Sequence, residues 1–274
     1  MTITIGFIGA GNMAGALAGG LLARGHAPER LALSDTSEQQ LQAFRSQGVW
    51  TTQDNQALAA RADVLVLAVK PQVLKDVLKP LAGIVQARRP LIVSIAAGIP
   101  AASIERWLGG NLAIVRAMPN TPALVQAGAT GLYANPRVDE TLRARAAEIL
   151  GAVGITVWVE DEALIDSVTA VSGSGPAYFF YVMEAMVAAG RSLGLDEATA
   201  RSLTLQTALG AAQMAITADA GPEELRRRVT SPGGTTERAI AALDAGKVRE
   251  AFANALQACA ARGAELADVL GGQD

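Results

Sequence analysis

The residues with the clearest chemical potential begin at residues 229–236, VTSPGGTT, which run directly into the helical pattern ERAIAALDAG. Pro232 can pre-set the turn before a helix, Gly233 and Gly234 can expose their N–H groups, and Ser231, Thr235 and Thr236 add hydroxyls. A helix mouth furnished in this way suits a small anion such as a carboxylate, because its first N–H groups lack intrahelical partners and the peptide dipoles concentrate positive charge there. The bland alternative is an ordinary Ser/Thr cap, but one cap requires only one hydroxyl.

A second cluster stands at the start of the chain. Gly9-Ala10-Gly11-Asn12-Met13-Ala14 fits G-x-G-x-x-G/A, follows a β-rich run and opens a helical one. Glycines in that pattern permit a tight turn and let backbone N–H groups approach a pyrophosphate. Asp35 lies in the turn Ser34-Asp35-Thr36-Ser37 after the second β-rich run, where an acid can accept hydrogen bonds from an adenosine ribose. Val69-Lys70-Pro71 and Ala96-Ala97-Gly98 end two further runs and belong to the same crevice, since open α/β sheets bind ligands beyond the carboxyl ends of their strands. The expectation is a bound NADPH or NADH.

Such a site does not name a reaction, and the acid–base inventory narrows it. The only histidine, His26, falls just past the first helix, on the wrong side of the sheet for catalysis. Tyr133, Tyr178 and Tyr181 are followed four residues later by Arg137, Val182 and Ala185, so Y-x-x-x-K is absent. Lysines occur only at 70, 75, 79 and 247, which leaves none after GSGPAY, where β-hydroxyacid dehydrogenases place theirs. Alcohol oxidation needs a base to take the hydroxyl proton. A protonated C=N already carries the charge that draws in hydride, so an imine needs orientation more than a strong acid. A redox sensor that binds the dinucleotide without turnover remains the non-enzymatic alternative; it would have no need of the helix mouth.

These groups require elements to hold them. Up to residue 160 the runs ITIGFI, LALSD, DVLVLAV, PLIVSIA, LAIVRAM and ITVWVE read as strands that alternate with helical patterns, which predicts a doubly wound parallel sheet of Rossmann type over residues 1–160. From 161 to 274 only helical spacing appears, which predicts an all-α domain. The chain is 50% hydrophobic and 18% charged, so some surface is expected to be buried against another subunit. A net charge of −3 argues against nucleic acid and anionic membranes. No apolar run is long enough to span a bilayer, and MTITIGFIG lacks the start of a signal peptide, so the expected compartment is the cytoplasm. The single cysteine, Cys259, reads as a small core residue, and no metal site is expected.

Five segments together carry a resemblance: AVKPQ (68–72), SIAAG (94–98), RAMPNTPALV (116–125), VSGSGPAYFF (171–180) and VTSPGGTTERAI (229–240). In this order the chain resembles the pyrroline-5-carboxylate reductases from FIGAGNM to its C-terminal helices. The resemblance implies NAD(P)H-dependent reduction of 1-pyrroline-5-carboxylate to L-proline, in a homodimer whose helical domains interlock and which can assemble further into rings. It places Gly9, Ala10, Gly11, Asn12, Met13, Asn55, Val69, Lys70 and Ala97 at the cofactor, with Ser34, Asp35 and Pro71 in the same crevice. Ser231, Gly233, Gly234, Thr235 and Thr236 would hold the substrate, Thr236 would hydrogen-bond the ring nitrogen, and Glu162 would stand near the site. Residues 172–176, Ser-Gly-Ser-Gly-Pro, would form a kinked helix beside the nicotinamide. Met118 to Pro122 reads from its residues only as a turn, and Arg226, Arg227 and Arg228 as a solvated helix face.

Overall fold

The computed structural model describes residues 3–272; the first two residues of the MTITIGFIG segment lie outside it. By internal contact the chain divides into a sheet unit, which runs to Ser174 and resumes at Ala258, and a helical unit, Gly175–Gln257. By contact, residues 161–174 and the end of the chain go with the sheet, although they follow the boundary expected at residue 160. The last helix, Val248–Gly271, explains the return of the chain. Its final carbonyl, Gly271 O, accepts hydrogen bonds from Ser103 Oγ at 2.9 Å and Arg106 Nη2 at 2.8 Å, partners that the carbonyl-rich end of a helix favours.

The sheet has eight strands: β1 (Ile5–Ile8), β2 (Leu31–Ser34), β3 (Trp50–Thr52), β4 (Val64–Leu67), β5 (Leu91–Ser94), β6 (Ile114–Met118), β7 (Gly128–Ala134) and β8 (Gly154–Trp158). Their order is β3-β2-β1-β4-β5-β6-β7-β8. β1, β2, β4 and β5 are buried at every residue, as strands covered on both faces must be. Phe7 and Ile5 pack with Leu17 and Leu21 of the helix Asn12–Ala23 on one face, while Ile8, Leu65 and Leu67 pack with Leu74 and Leu78 on the other.

All six expected strands are present, but the sheet is not wholly parallel. β7 runs antiparallel to β6 and parallel to β8. The link from Met118 to Gly128 holds only a short 3-10 turn, Thr121–Val125, whereas a parallel return needs a crossover of about a dozen residues or more. β7 hides in the sequence because its glycines dilute the strand pattern. Tertiary packing requires them: a Cβ on Gly131 would meet Val168 Cγ1 at 2.4 Å, and one on Gly128 would meet Val153 O at 2.9 Å.

After β8 a short helix, Leu164–Val168, passes into a π-helical segment, Thr169–Gly173, before the long helix Gly175–Ser192. The kinked helix expected at 172–176 overlaps the end of this segment and the start of the long helix; at the junction Ser174 N donates to Thr169 O at 2.8 Å. Asn120 ties it to the β6–β7 loop: its Nδ2 donates to Ser172 O at 3.0 Å and its Oδ1 accepts from Ala129 N at 2.9 Å. Within the Met118–Pro122 stretch, buried Asn120 thus acts as a clamp.

Glu162 performs a similar service. Its Oε1 accepts from Ala101 N at 2.7 Å, at the start of the helix Ala101–Trp107, and from Arg116 Nη1 of β6 at 2.8 Å. The Arg116 side chain is 8% exposed, so its charge depends on this partner.

The helical unit contrasts with the sheet. Only Gly175, Ala200 and Thr204 are buried in it, while Phe179, Phe180, Tyr181, Leu193, Leu209 and Ile216 are exposed. Its hairpin of helices, Gly175–Ser192 and Glu197–Thr217, has no core of its own.

Glu162→Ala should lower the unfolding free energy by roughly 3 kcal/mol, the low end for a broken buried pair, because it strands a buried guanidinium while Glu162 itself is partly exposed. Glu162→Gln, which keeps an acceptor for Ala101 N, should cost less; chemical denaturation distinguishes the two. His26 gives a pH test. Burial lowers the pKa of its imidazole, against a hydrogen bond at Arg30 that raises it. The unfolded chain then binds the proton more readily, so the stability is present above about pH 6.5 and is lost as pH falls through the lowered folded value. His26→Gln should flatten the acid limb of a Tm-against-pH curve.

Candidate active site

The strand order reverses at β1, whose neighbours are β2 and β4, so a crevice opens beyond its carboxyl end. Gly9 sits there at φ +98°, and a Cβ would meet Ala68 O at 2.7 Å, so no other residue fits. Gly11 differs: nothing lies within 4 Å of where its Cβ would be. It caps the helix Asn12–Ala23 without any side-chain hydrogen bond, and that helix has no acidic residue in its first turn. The bare N–H groups thus face open space, which suits a pyrophosphate. A cleft of about 600 Å³ adjoins them, lined in part by Ala10, Gly11, Asn12 and Gln40. These features fit a dinucleotide.

The other predicted cofactor residues gather at the same edge. Asp35, directly after β2, accepts from Ala10 N through Oδ2 and from Ser37 N through Oδ1, each at 2.8 Å. Ser34 Oγ donates to Asn55 Oδ1 at 2.6 Å, and Asn55 starts the helix Asn55–Ala59. Val69 touches the space above Gly9, Lys70 is exposed, and Pro71 opens the helix Pro71–Leu78. Ala97 is exposed after β5, next to Gly98, whose backbone at φ +70° lies against Leu266. Beside Glu162, burial raises the pKa of Asp166, although Arg116 pulls it down. Cys259 is half-buried and lies 3.3 Å from Ser174 Oγ. His26 follows the end of the first helix, where its N–H donates to Leu21 O at 3.0 Å.

Glu162 belongs to the sheet unit, and Ser231, Gly233, Gly234, Thr235 and Thr236 to the helical unit. There the helix Thr235–Ala245 is capped by Gly234 without a side-chain hydrogen bond. One expectation changes, because the two glycine N–H groups are already engaged. Gly234 N donates to Ser231 O at 3.0 Å, and Gly233 N, in a residue at φ +73°, donates to Glu237 Oε2 at 2.8 Å. The donors left at the mouth are the N–H groups of Thr235, Thr236 and Glu237, with the hydroxyls of Ser231, Thr235 and Thr236. Sequence reasoning passed over Glu237. Its signal was the spacing of a capping box, an acid at the third helical position that reaches back over the first turn. Arg227 and Arg228 pair with Glu224 on their own exposed helix, in keeping with a solvated face.

Comparison with known proteins matches both units. Residues 162–266 fit the family model described as pyrroline-5-carboxylate reductase dimerisation, and residues 4–98 fit that of the coenzyme F420-dependent NADP oxidoreductases. A pyrroline-5-carboxylate reductase of Pseudomonas aeruginosa is 53% identical over 98% of this chain and 99% of its own. A solved reductase from Coxiella burnetii superposes with a TM-score of 0.94 at 48% identity, over 97% of this chain and 99% of that one. The Plasmodium falciparum enzyme, solved with NADP bound, gives 0.86 at 29% identity, over 97% and 98%. With its glycine-rich crevice, its bare helix mouth and a likeness that runs along nearly its whole length, this chain belongs to the pyrroline-5-carboxylate reductase family.

Proposed function

We infer that this chain reduces 1-pyrroline-5-carboxylate to L-proline, the last step of proline biosynthesis, with NADPH or NADH as the reductant. The observation that carries the reading is the near-full-length identity to a named reductase. When bound, the nicotinamide cofactor supplies a hydride to the carbon of the C=N bond. The chain's own residues bind and orient. Gly9 keeps the first turn tight, the N–H groups of the helix Asn12–Ala23 receive the pyrophosphate, and Asp35, Asn55, Val69, Lys70 and Ala97 line the crevice. The mouth Ser231–Thr236 takes the substrate carboxylate on N–H groups and hydroxyls that have no partner within the loop.

Thr236 is the proposed hydrogen-bond partner of the ring nitrogen. Its alcohol is far too weak an acid to protonate an imine near neutral pH, so its part is to hold the nitrogen in place while the ring enters already protonated. Glu162 is engaged by Arg116 and Ala101 N, and we assign it to supporting the loop after β5.

The chain works as a homo-oligomer, through the dimerisation region that spans residues 162–266. No helix among the described residues is long and apolar enough to cross a membrane. We propose the cytoplasm as its compartment, where NAD(P)H-linked biosynthesis takes place.

The test is loss of NADPH or NADH absorbance with 1-pyrroline-5-carboxylate, against a hydroxyacid with oxidised cofactor as control. Turnover is expected only in the first. Thr236→Ala should lower kcat by about 10²-fold, the scale of one positioning hydrogen bond in a transition state, and leave cofactor binding intact. Unchanged turnover would remove Thr236 from the mechanism.

A further inference from the structure

We propose that this chain prefers NADH to NADPH and that Asp35 sets the preference; the inference rests on the nicotinamide-dependent activity above. The carboxylate stands at the carboxyl end of β2, one strand from the glycine-rich turn, where the adenosine ribose of a dinucleotide lies in this fold. It is held there. Ala10 N occupies one lone pair of Oδ2 and Ser37 N one of Oδ1, each at 2.8 Å. A carboxylate offers about four acceptor sites, so two remain for the ribose hydroxyls of NADH. With each oxygen holding a main-chain N–H, swinging the side chain aside for a larger anion would break both bonds.

NADPH places a phosphate where NADH has the 2′-hydroxyl, and a phosphate against a carboxylate is disfavoured unless a cation lies between them. The loop after β2 supplies no free cation. The turn Ser34-Asp35-Thr36-Ser37 contains no basic residue. Arg45, the only basic residue of the following helix Glu38–Arg45, is engaged by Glu38 and by Thr51 Oγ1. Lys70 follows β4, two strand spacings from β2, or roughly 10 Å. Asn55, whose oxygen accepts from Ser34 Oγ, can offer only neutral N–H donors to either cofactor.

Asp35 also anchors the glycine-rich turn through Ala10 N, so deleting it would damage binding of both cofactors. Asp35→Asn keeps the shape and one acceptor while removing the charge. Thr36→Arg leaves Asp35 in place and adds a cation at an exposed position. Direct fluorescence titration with NADH and NADPH, which requires no turnover, should give a wild-type Kd at least tenfold lower for NADH. Asp35→Asn should shift the ratio toward NADPH by about 10- to 100-fold, and Thr36→Arg should lower the NADPH Kd about tenfold with little change for NADH. The kcat/KM ratios should move the same way. Equal or tighter NADPH binding by the wild type, or a ratio that neither variant moves, would overturn the inference. Binding of both cofactors without imine reduction would count against the activity instead and leave the preference measurable.

Discussion

The helical unit cannot bury its own apolar side chains, and the behaviour of the whole protein follows from that. Helices such as Gly175–Ser192 and Glu197–Thr217 gain most of their stability from packing an apolar face, since isolated helices are marginal in water. Here the large side chains Phe179, Phe180, Tyr181, Leu209 and Ile216 remain exposed in the single chain. Exposed apolar surface on this scale marks a protein interface, and the dimerisation region coincides with it. Folding of this unit and association of two chains are therefore one process.

The two proposed ligand sites obey a common rule. Each is the start of a helix that lacks a side-chain cap, Gly11 before Asn12–Ala23 and Gly234 before Thr235–Ala245. In each, a carboxylate of the protein itself takes a backbone N–H at the turn: Asp35 binds Ala10 N, and Glu237 binds Gly233 N. These acids fix the turn and leave the next N–H groups free for a ligand anion. Stability is conceded at the helix ends, and binding uses what is left open.

Much of this was legible in the sequence. The glycine pattern at residues 9–14, the strands it follows and the hydroxyl-rich mouth are local signals, since φ, capping and strand burial depend on nearby residues. What the sequence hid depends on distant partners. β7 carries glycines because Val168 and Val153 press on it, and no local pattern announces that. Nothing near Glu162 in the sequence announces that its carboxylate bonds Arg116 and Ala101 N, 46 and 61 residues away. The glycines of the mouth looked like free donors until Ser231 O and Glu237 took their N–H groups. The end of the chain joined the sheet unit because Ser103 and Arg106 hold Gly271 O.

The claim that a second copy completes the helical unit is tested most directly by thermal unfolding followed by far-ultraviolet circular dichroism over a wide range of protein concentration, with sedimentation velocity on the same samples. Linkage of folding to association makes Tm rise with concentration. The account predicts that rise, and no monomer with a folded helical unit at any dilution. A Tm independent of concentration, with a fully helical monomer in the centrifuge, would contradict it.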